Sequence, residues 1–407
     1  MELQKNLEKY AELIAKIGLN LKKGDNLQIS FNIWGRELAL LVADKAYEMG
    51  VGDVLLSFSD ERHQLSFFGK ADDVTYFPDF KARYLEQLAE HKYHRLVIDA
   101  ANPNLLKNID SERITAAQKV RSQKTRKVME YSMSNFIKWC IVAVPNPAWA
   151  TSVFPELKED QAMDKLWENI FMATRVDLED PVAAWEKHDL QLKIHEKFLN
   201  EANFEKLLYK GPGTDLEVYL AENHKWVGGS GDSQDGDRFF ANIPTEEVFT
   251  MPDRAKVNGT LKATMPLAVM GKLVEDMSFV FKDGVVIEFK AGKEQEVFEK
   301  ILDSDEGSRR LGEVALVAHN SPISNTGILF QNTLFDENAS CHFAVGAAYP
   351  ENIENGANLT DEEKVEKGMN DSRIHYDFMV GSEEVKVTGV KADGTEIVLL
   401  ADGEWQI

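Results

Sequence analysis

Cysteine is nearly missing from this chain: only Cys140 and Cys341 occur among 407 residues. Two thiols cannot build a disulfide scaffold, and without a C-x-x-C there is no zinc or dithiol redox motif of that kind. Long apolar runs are lacking too. The longest, such as residues 38–43, are far too short to span a bilayer. The opening segment is charged and amphipathic and lacks the apolar core of a signal peptide. Positive charge is in deficit, with 46 Lys and Arg against 68 Asp and Glu, a formal charge of −22. Nucleic acids and anionic membranes demand cationic surface, so neither partner is expected. These absences predict a cytoplasmic protein acting on small or cationic molecules.

Several catalytic signatures are also missing. The first predicted strand is not followed by G-x-G-x-x-G, which argues against a dinucleotide site. The Gly-rich loop at 228–237 is neither a phosphate loop nor a twelve-residue calcium loop, and its three aspartates would repel phosphate. No G-x-S-x-G and no H-E-x-x-H occurs. Cys341 directly precedes His342, but chain neighbours do not face one another as a nucleophile and its base must.

What is present is enough apolar residue, 43%, to bury a large core in two domains. Apolar positions at helical spacing cover residues 2–17, and strands are expected at 26–30, 54–58, 95–98 and 139–144. Helical patterns at 34–49, 60–69, 80–91 and 111–130 lie between them. Alternating strand and helix predicts a parallel sheet with helices on its faces. The helix at 111–130 is rich in Lys and Arg and reads as a solvated face. Helices at 159–173 and 179–202 close this half. Beyond them, short apolar runs alternate with turn signals. Two Asp-Gly pairs sit between alternating runs, 277–281 with 285–289 and 385–390 with 396–400, which predicts hairpins. One helix is expected at 293–302. The fold class is an α/β N-terminal domain with a parallel sheet over 1–200, then a mainly antiparallel, β-rich α+β catalytic domain over 201–407.

Chemistry concentrates in the second half. Residues 371–380 alternate, so that His375 and Asp377 share one face of a strand, about 7 Å apart along the chain. Glu313 is a single acid in an apolar run, 311–317. Burying a carboxylate costs several kcal/mol unless it is paired or binds a metal. Glu246 and Glu247 sit between apolar residues at 242–249, and Glu337 and His342 in a segment of small and apolar residues at 335–344. Taken singly, each also fits a capped helix, a surface acid or a satisfied core histidine.

Taken in order, four segments resemble one family. N-I-P-T-E-E-V-F-T-M-P-D at 242–253, G-E-V-A-L-V at 312–317, A-S-C-H at 339–342 and S-R-I-H-Y-D at 372–377 closely resemble the aminopeptidase S / aminopeptidase T family of metalloaminopeptidases. The resemblance covers nearly the whole chain. It implies metal ligands at Glu247, the second acid of P-T-E-E; at Glu313 of G-E-V-A; at Glu337, five residues before the motif histidine; at His342 itself; and at His375 and Asp377. It also implies that Tyr349 lies near the metals. Four carboxylates and two neutral imidazoles carry −4, which two divalent cations neutralise. Mixed oxygen and nitrogen ligation suits Zn, Co or Mn.

The implied activity is removal of the N-terminal residue from short peptides with a free N-terminus. The attacking hydroxide would lie between two ions bridged by a carboxylate such as Glu313. Glu246, or an unliganded carboxylate oxygen, would be the general base, and Tyr349 would donate to the tetrahedral intermediate. A homodimer is also implied. Two other readings remain at this level: a metal-dependent amidohydrolase on non-peptide amides, and a non-enzymatic ligand-binding protein with a structural metal.

Overall fold

Parallel strands cannot be joined by tight hairpins, so each connection in the first half carries helix. Strands β1 (Asn26–Asn32), β2 (Asp53–Ser59), β3 (Tyr93–Asp99) and β4 (Trp139–Ala143) pair in parallel in the order β2-β1-β3-β4. Their crossovers hold Arg36–Glu48, then Glu61–Lys70 and Asp79–Glu90, then Ser111–Lys124 and Arg126–Met133. The computed structural model describes residues 2–100 and 102–407. The chain forms two compact units: Met1–Glu186 with Ser230–Pro244, and Lys187–Gly229 with Thr245–Ile407.

The basic helix expected at 111–130 is two helices. It breaks at Thr125, whose hydroxyl donates to the Arg121 carbonyl and so offers the backbone an alternative to continued helix. Lys124 pairs with Asp79, Lys127 with Glu86, and Arg126 with Glu130, so this is a solvated face of mixed charge.

Open parallel sheets bind ligands beyond the carboxyl ends of their strands, where the strand order reverses. Here that point lies between β1 and β3, and asparagines close it. Asn32 donates from Nδ2 to the Ala100 carbonyl (3.0 Å) and accepts from the Trp34 N–H (3.0 Å). Asn146 donates to the same Ala100 carbonyl at 2.8 Å.

At the other end of the sheet Lys138, 1% exposed, donates from Nζ to Asp25 (2.8 Å) and to the Asn20 carbonyl (3.0 Å). His94 Nδ1 accepts from the Lys138 N–H, so its Nε2 carries the proton and faces Asp25 at 3.4 Å. Burial pushes the Asp25 carboxyl up, but the hydrogen bonds from His94 and Lys138 override it and hold the group well below its ordinary 3.8. Asp25→Asn leaves the buried ammonium with the Asn20 carbonyl and the carboxylate of the more distant Asp237, and should cost about 3 kcal/mol. A depressed carboxyl contributes fully above its unfolded pKa and loses that contribution as the pH falls through the folded one. Urea melts should therefore separate wild type from the variant at pH 7, with the gap narrowing below pH 4.

The second unit contains two main antiparallel sheets. In chain order, the strands of these two sheets are β5 (Lys206–Gly211), β6 (Thr214–Leu220), β7 (Val227–Gly228), β8 (Val248–Thr250), β9 (Pro252–Lys262), β10 (Ser278–Lys282), β11 (Val285–Lys290), β12 (Leu311–Leu316), β13 (His342–Gly346), β14 (His375–Met379), β15 (Lys386–Val390), β16 (Glu396–Ala401) and β17 (Glu404–Trp405). Both expected hairpins form, β10 with β11 and β15 with β16. Eight strands make one sheet, β11-β10-β9-β6-β5-β15-β16-β17, and five make the other, β14-β13-β12-β8-β7. On one face of the five-stranded sheet the register Val314–Phe343–Phe378 enters the core, where Phe378 stacks on Phe279 at 4.6 Å. The other face carries the site.

Candidate metal centre

Side chains alternate across a strand, so directly opposed residues share a face. Glu313 opposes Ala344, and Ala344 opposes Asp377. His342 lies two residues before Ala344, and His375 two before Asp377. Glu313, His342, His375 and Asp377 thus project from three adjacent strands onto one face. Between them the sheet places Ala315, Ala344 and Gly346, which leave room among the polar groups. Gly346 (φ +109°) opposes His375, and a Cβ there would lie 2.0 Å from the Ile374 carbonyl oxygen; only glycine allows that approach.

The geometry pairs each imidazole with two carboxylates. His342 Nε2 lies 3.1 Å from Glu247 Oε2 and 3.4 Å from Glu313 Oε1. His375 Nε2 lies 3.2 Å from Asp377 Oδ1 and 3.5 Å from Glu313 Oε2. Each histidine donates from Nδ1 to a backbone carbonyl, His342 to Ser340 (3.2 Å) and His375 to Ala347 (2.8 Å). That fixes the ring and aims Nε2 at the acids, the arrangement that presents a lone pair to a cation. Two triads have ligand atoms within 4.8 Å of one another: Glu247, Glu313 and His342, and Glu313, His375 and Asp377. Glu313 belongs to both.

The charges strain against burial. Burial pushes the Glu313 carboxyl up to about 7, with Asp377 and Glu247 adding to it and the histidines opposing. Burial would lower His342, but its hydrogen bonds to Glu247 and Glu313 hold it well above the ordinary imidazole range. His375 resists the same effect of burial through Asp377 and Glu313, and rises to about 10. Without metal the cluster is therefore held together by protons. A divalent cation would displace them. The buried oxygen and nitrogen donors, with both rings pre-set, fit such ions.

The remaining predicted residues lie around this core. Glu337 starts a short turn, Glu337–Ala339, packed against β14, and falls outside both triads. Burial raises its carboxyl well above the usual range, with Asp377 and Glu247 adding to the effect, so it senses the same charges. Tyr349 packs over His375, ring centres 4.9 Å apart. Burial, then Glu313 and Asp377, push its phenol well above the ordinary value, so it remains a donor. Glu246 is buried beside Glu247. Its N–H donates to Asn338 Oδ1 (2.7 Å), and its Oε2 is 3.5 Å from His188 Nε2.

His188 and Asn338 are absent from the sequence-derived set. His188 donates from Nε2 to the Thr245 carbonyl at 2.8 Å and so anchors the segment that delivers Glu246 and Glu247. Only the long helix Pro181–Ala202 presents it, 57 residues earlier in the chain, so no local spacing could reveal it. The Asn338 side chain, fully buried, ties that segment to the Glu337 turn.

A sheet that turns buried imidazoles and carboxylates onto one face, with one acid shared between two triads, forms a candidate metal centre with mixed oxygen and nitrogen donors. Over residues 3–405 the sequence matches the thermophilic metalloprotease (M29) family, and the chain belongs to that family. It is accordingly a hydrolase of the metallopeptidase class. It is 43% identical to aminopeptidase 2 of Geobacillus stearothermophilus over 404 residues, covering 99% of this chain and 98% of that one. Identity to aminopeptidase T of Thermus aquaticus is 42% over 405 residues, at 99% and 98% coverage. The solved structure of wild-type AmpT from Thermus thermophilus superposes with a TM-score of 0.93 at 39% identity, covering 99% of this chain and 100% of that chain. The match extends over the parallel-sheet half and the antiparallel half alike. Among the described residues, no helix is long and apolar enough to cross a membrane.

Proposed function

We propose that the chain is a two-metal aminopeptidase that releases the N-terminal residue of short peptides. The observation that carries the second ion is the position of Glu313, with Oε1 3.4 Å from one imidazole and Oε2 3.5 Å from the other. A carboxylate between two donor groups of that kind suits a bridge. Glu247 and His342 would hold one ion, and His375 and Asp377 the other, with Glu337 completing the set. When bound, Zn, Co or Mn would supply Lewis acidity toward a peptide carbonyl and acidify a water for attack.

The chain's own groups would manage the protons and the substrate. Glu246, fixed by Asn338 and His188, would accept the proton of the attacking water and deliver it to the leaving amine. Tyr349, kept protonated by its burial among carboxylates, would donate a hydrogen bond to the developing oxyanion. An ion would take the peptide's free α-amine in its neutral form, or a carboxylate of the cluster would pair with it as the ammonium, and either limits cleavage to the first residue. The relatives' names support this reading, and we extend it to a cytoplasmic homodimer.

The test is a peptide panel offered with free and with acetylated N-termini. Cleavage should proceed only on the free forms, one residue at a time from the N-terminus. Equal cleavage of the acetylated forms would favour an amidohydrolase acting on non-peptide amides. A metal that raises the melting temperature without any turnover would favour a binding protein with a structural ion.

A further inference from the structure

The register that gathers the ligands also brings one aromatic ring onto their face. Phe249 opposes Ala315, which in turn opposes His342. Phe249 is thus two strands from His342, about 10 Å between backbones, with a small side chain between them. On its other side Phe249 opposes Val227 of β7. Val227, Phe249 and Ala315 make an apolar strip that runs up to the acidic cluster.

Exposure within the strip is uneven. Val248 and Thr250, the neighbours of Phe249 in β8, are fully buried on the opposite face, whereas Phe249 and Val227 are each only partly covered. The ring of Phe249 meets Tyr349 edge-on, with centres 6.1 Å apart at 78°, and Tyr349 in turn packs on His375. Buried Asn352 locks the two aromatics to one frame. Its Nδ2 donates to the carbonyls of Phe249 and Lys225, both at 3.3 Å, and its N–H donates to the Tyr349 carbonyl at 3.1 Å. The result is a rigid, partly open apolar wall beside groups that bind charge. A substrate held at the cluster by its α-amino group and first carbonyl has one further group to place, the side chain of its first residue.

We propose that Phe249, with Val227 and Ala315, forms the subsite for that side chain, and that the subsite selects apolar side chains of leucine or phenylalanine size. This rests on the aminopeptidase reading above. Covering a partly exposed ring with an apolar side chain removes apolar surface from water on both partners. A methyl side chain does not reach the ring and gains little from it.

The experiment compares kcat/KM for alanyl, leucyl, phenylalanyl and arginyl p-nitroanilides with wild type, Phe249→Ala and Phe249→Leu, using metal-loaded enzyme. Wild type should prefer the leucyl and phenylalanyl substrates. Phe249→Ala should lower both by about tenfold relative to the alanyl substrate, chiefly through KM. Phe249→Leu, which preserves an apolar wall, should retain most of the leucyl preference. A fall by the same factor on every substrate, or unchanged ratios, would overturn the subsite. A wild-type preference for the arginyl substrate would overturn it as well, because the ring would then serve a cation. If Phe249→Ala does not fold, Val227→Thr, close in shape, tests the other end of the strip by the same ratio. A wild-type enzyme that cleaves none of the four would overturn the aminopeptidase reading and the subsite with it.

Discussion

Glu313→Gln should lower turnover of an aminoacyl p-nitroanilide about a thousandfold while the fold survives, a loss of about 4 kcal/mol of transition-state stabilisation. Both carboxylate oxygens of Glu313 face imidazole Nε2 atoms, so both are engaged in the proposed bridge. An amide keeps the shape but replaces one acceptor with a donor and removes a charge from the set. It could serve one ion and not two. The metal-free protein should tolerate the change well. Burial already drives this carboxyl to about 7, and its charge repels Asp377 and Glu247, so an uncharged isostere relieves that strain. The melting temperature without metal should therefore be unchanged or higher. Metal content, turnover and melting measured on one preparation check the prediction, and full activity in the variant would sink the bridging role.

Removal of metal by a chelator should abolish turnover and soften the second unit at the same time. A ligand that binds only the folded state adds about 4 kcal/mol at a thousandfold excess over its Kd. For a unit of about 200 residues that corresponds to a fall on the order of ten degrees when the metal is stripped. The reason lies in β12 and β13, whose residues are all buried, Glu313 and His342 among them. Without cations the cluster keeps its carboxylates and imidazoles only by taking up protons. Differential scanning calorimetry with and without chelator, followed by addition of Zn, Co or Mn, reads both effects. Activity and stability should return together. Return of stability alone would contradict a catalytic ion.

Much of this arrangement could be read in the sequence, and the reason is the period of a strand. Alternation at 371–380 places His375 and Asp377 on one face, and β14 bears that out. A lone acid in the apolar run of β12 marks Glu313, because a buried carboxylate needs a partner. The hairpins of the second unit followed from Asp-Gly turns, whose backbone twist suits the flanking strands. What could not be read is the register between strands. That Glu313 faces Asp377 across Ala344, or that Phe249 joins the same face through Ala315, depends on pairings between residues far apart in the chain, which local pattern does not encode. His188 escaped for the same reason, since its role is defined by a carbonyl far away in sequence. The break at Thr125 leaves no mark in the local pattern, because basic residues flank it on both sides and neither Gly nor Pro punctuates it.

The central claim is that two ions act together on the face built by β12, β13 and β14. It is tested most directly by titrating metal-free enzyme with Co or Zn and following both bound metal and hydrolysis of a leucyl p-nitroanilide. The account predicts that turnover climbs to its plateau at two equivalents per chain. A plateau at one equivalent, with no second ion bound at full activity, would contradict it.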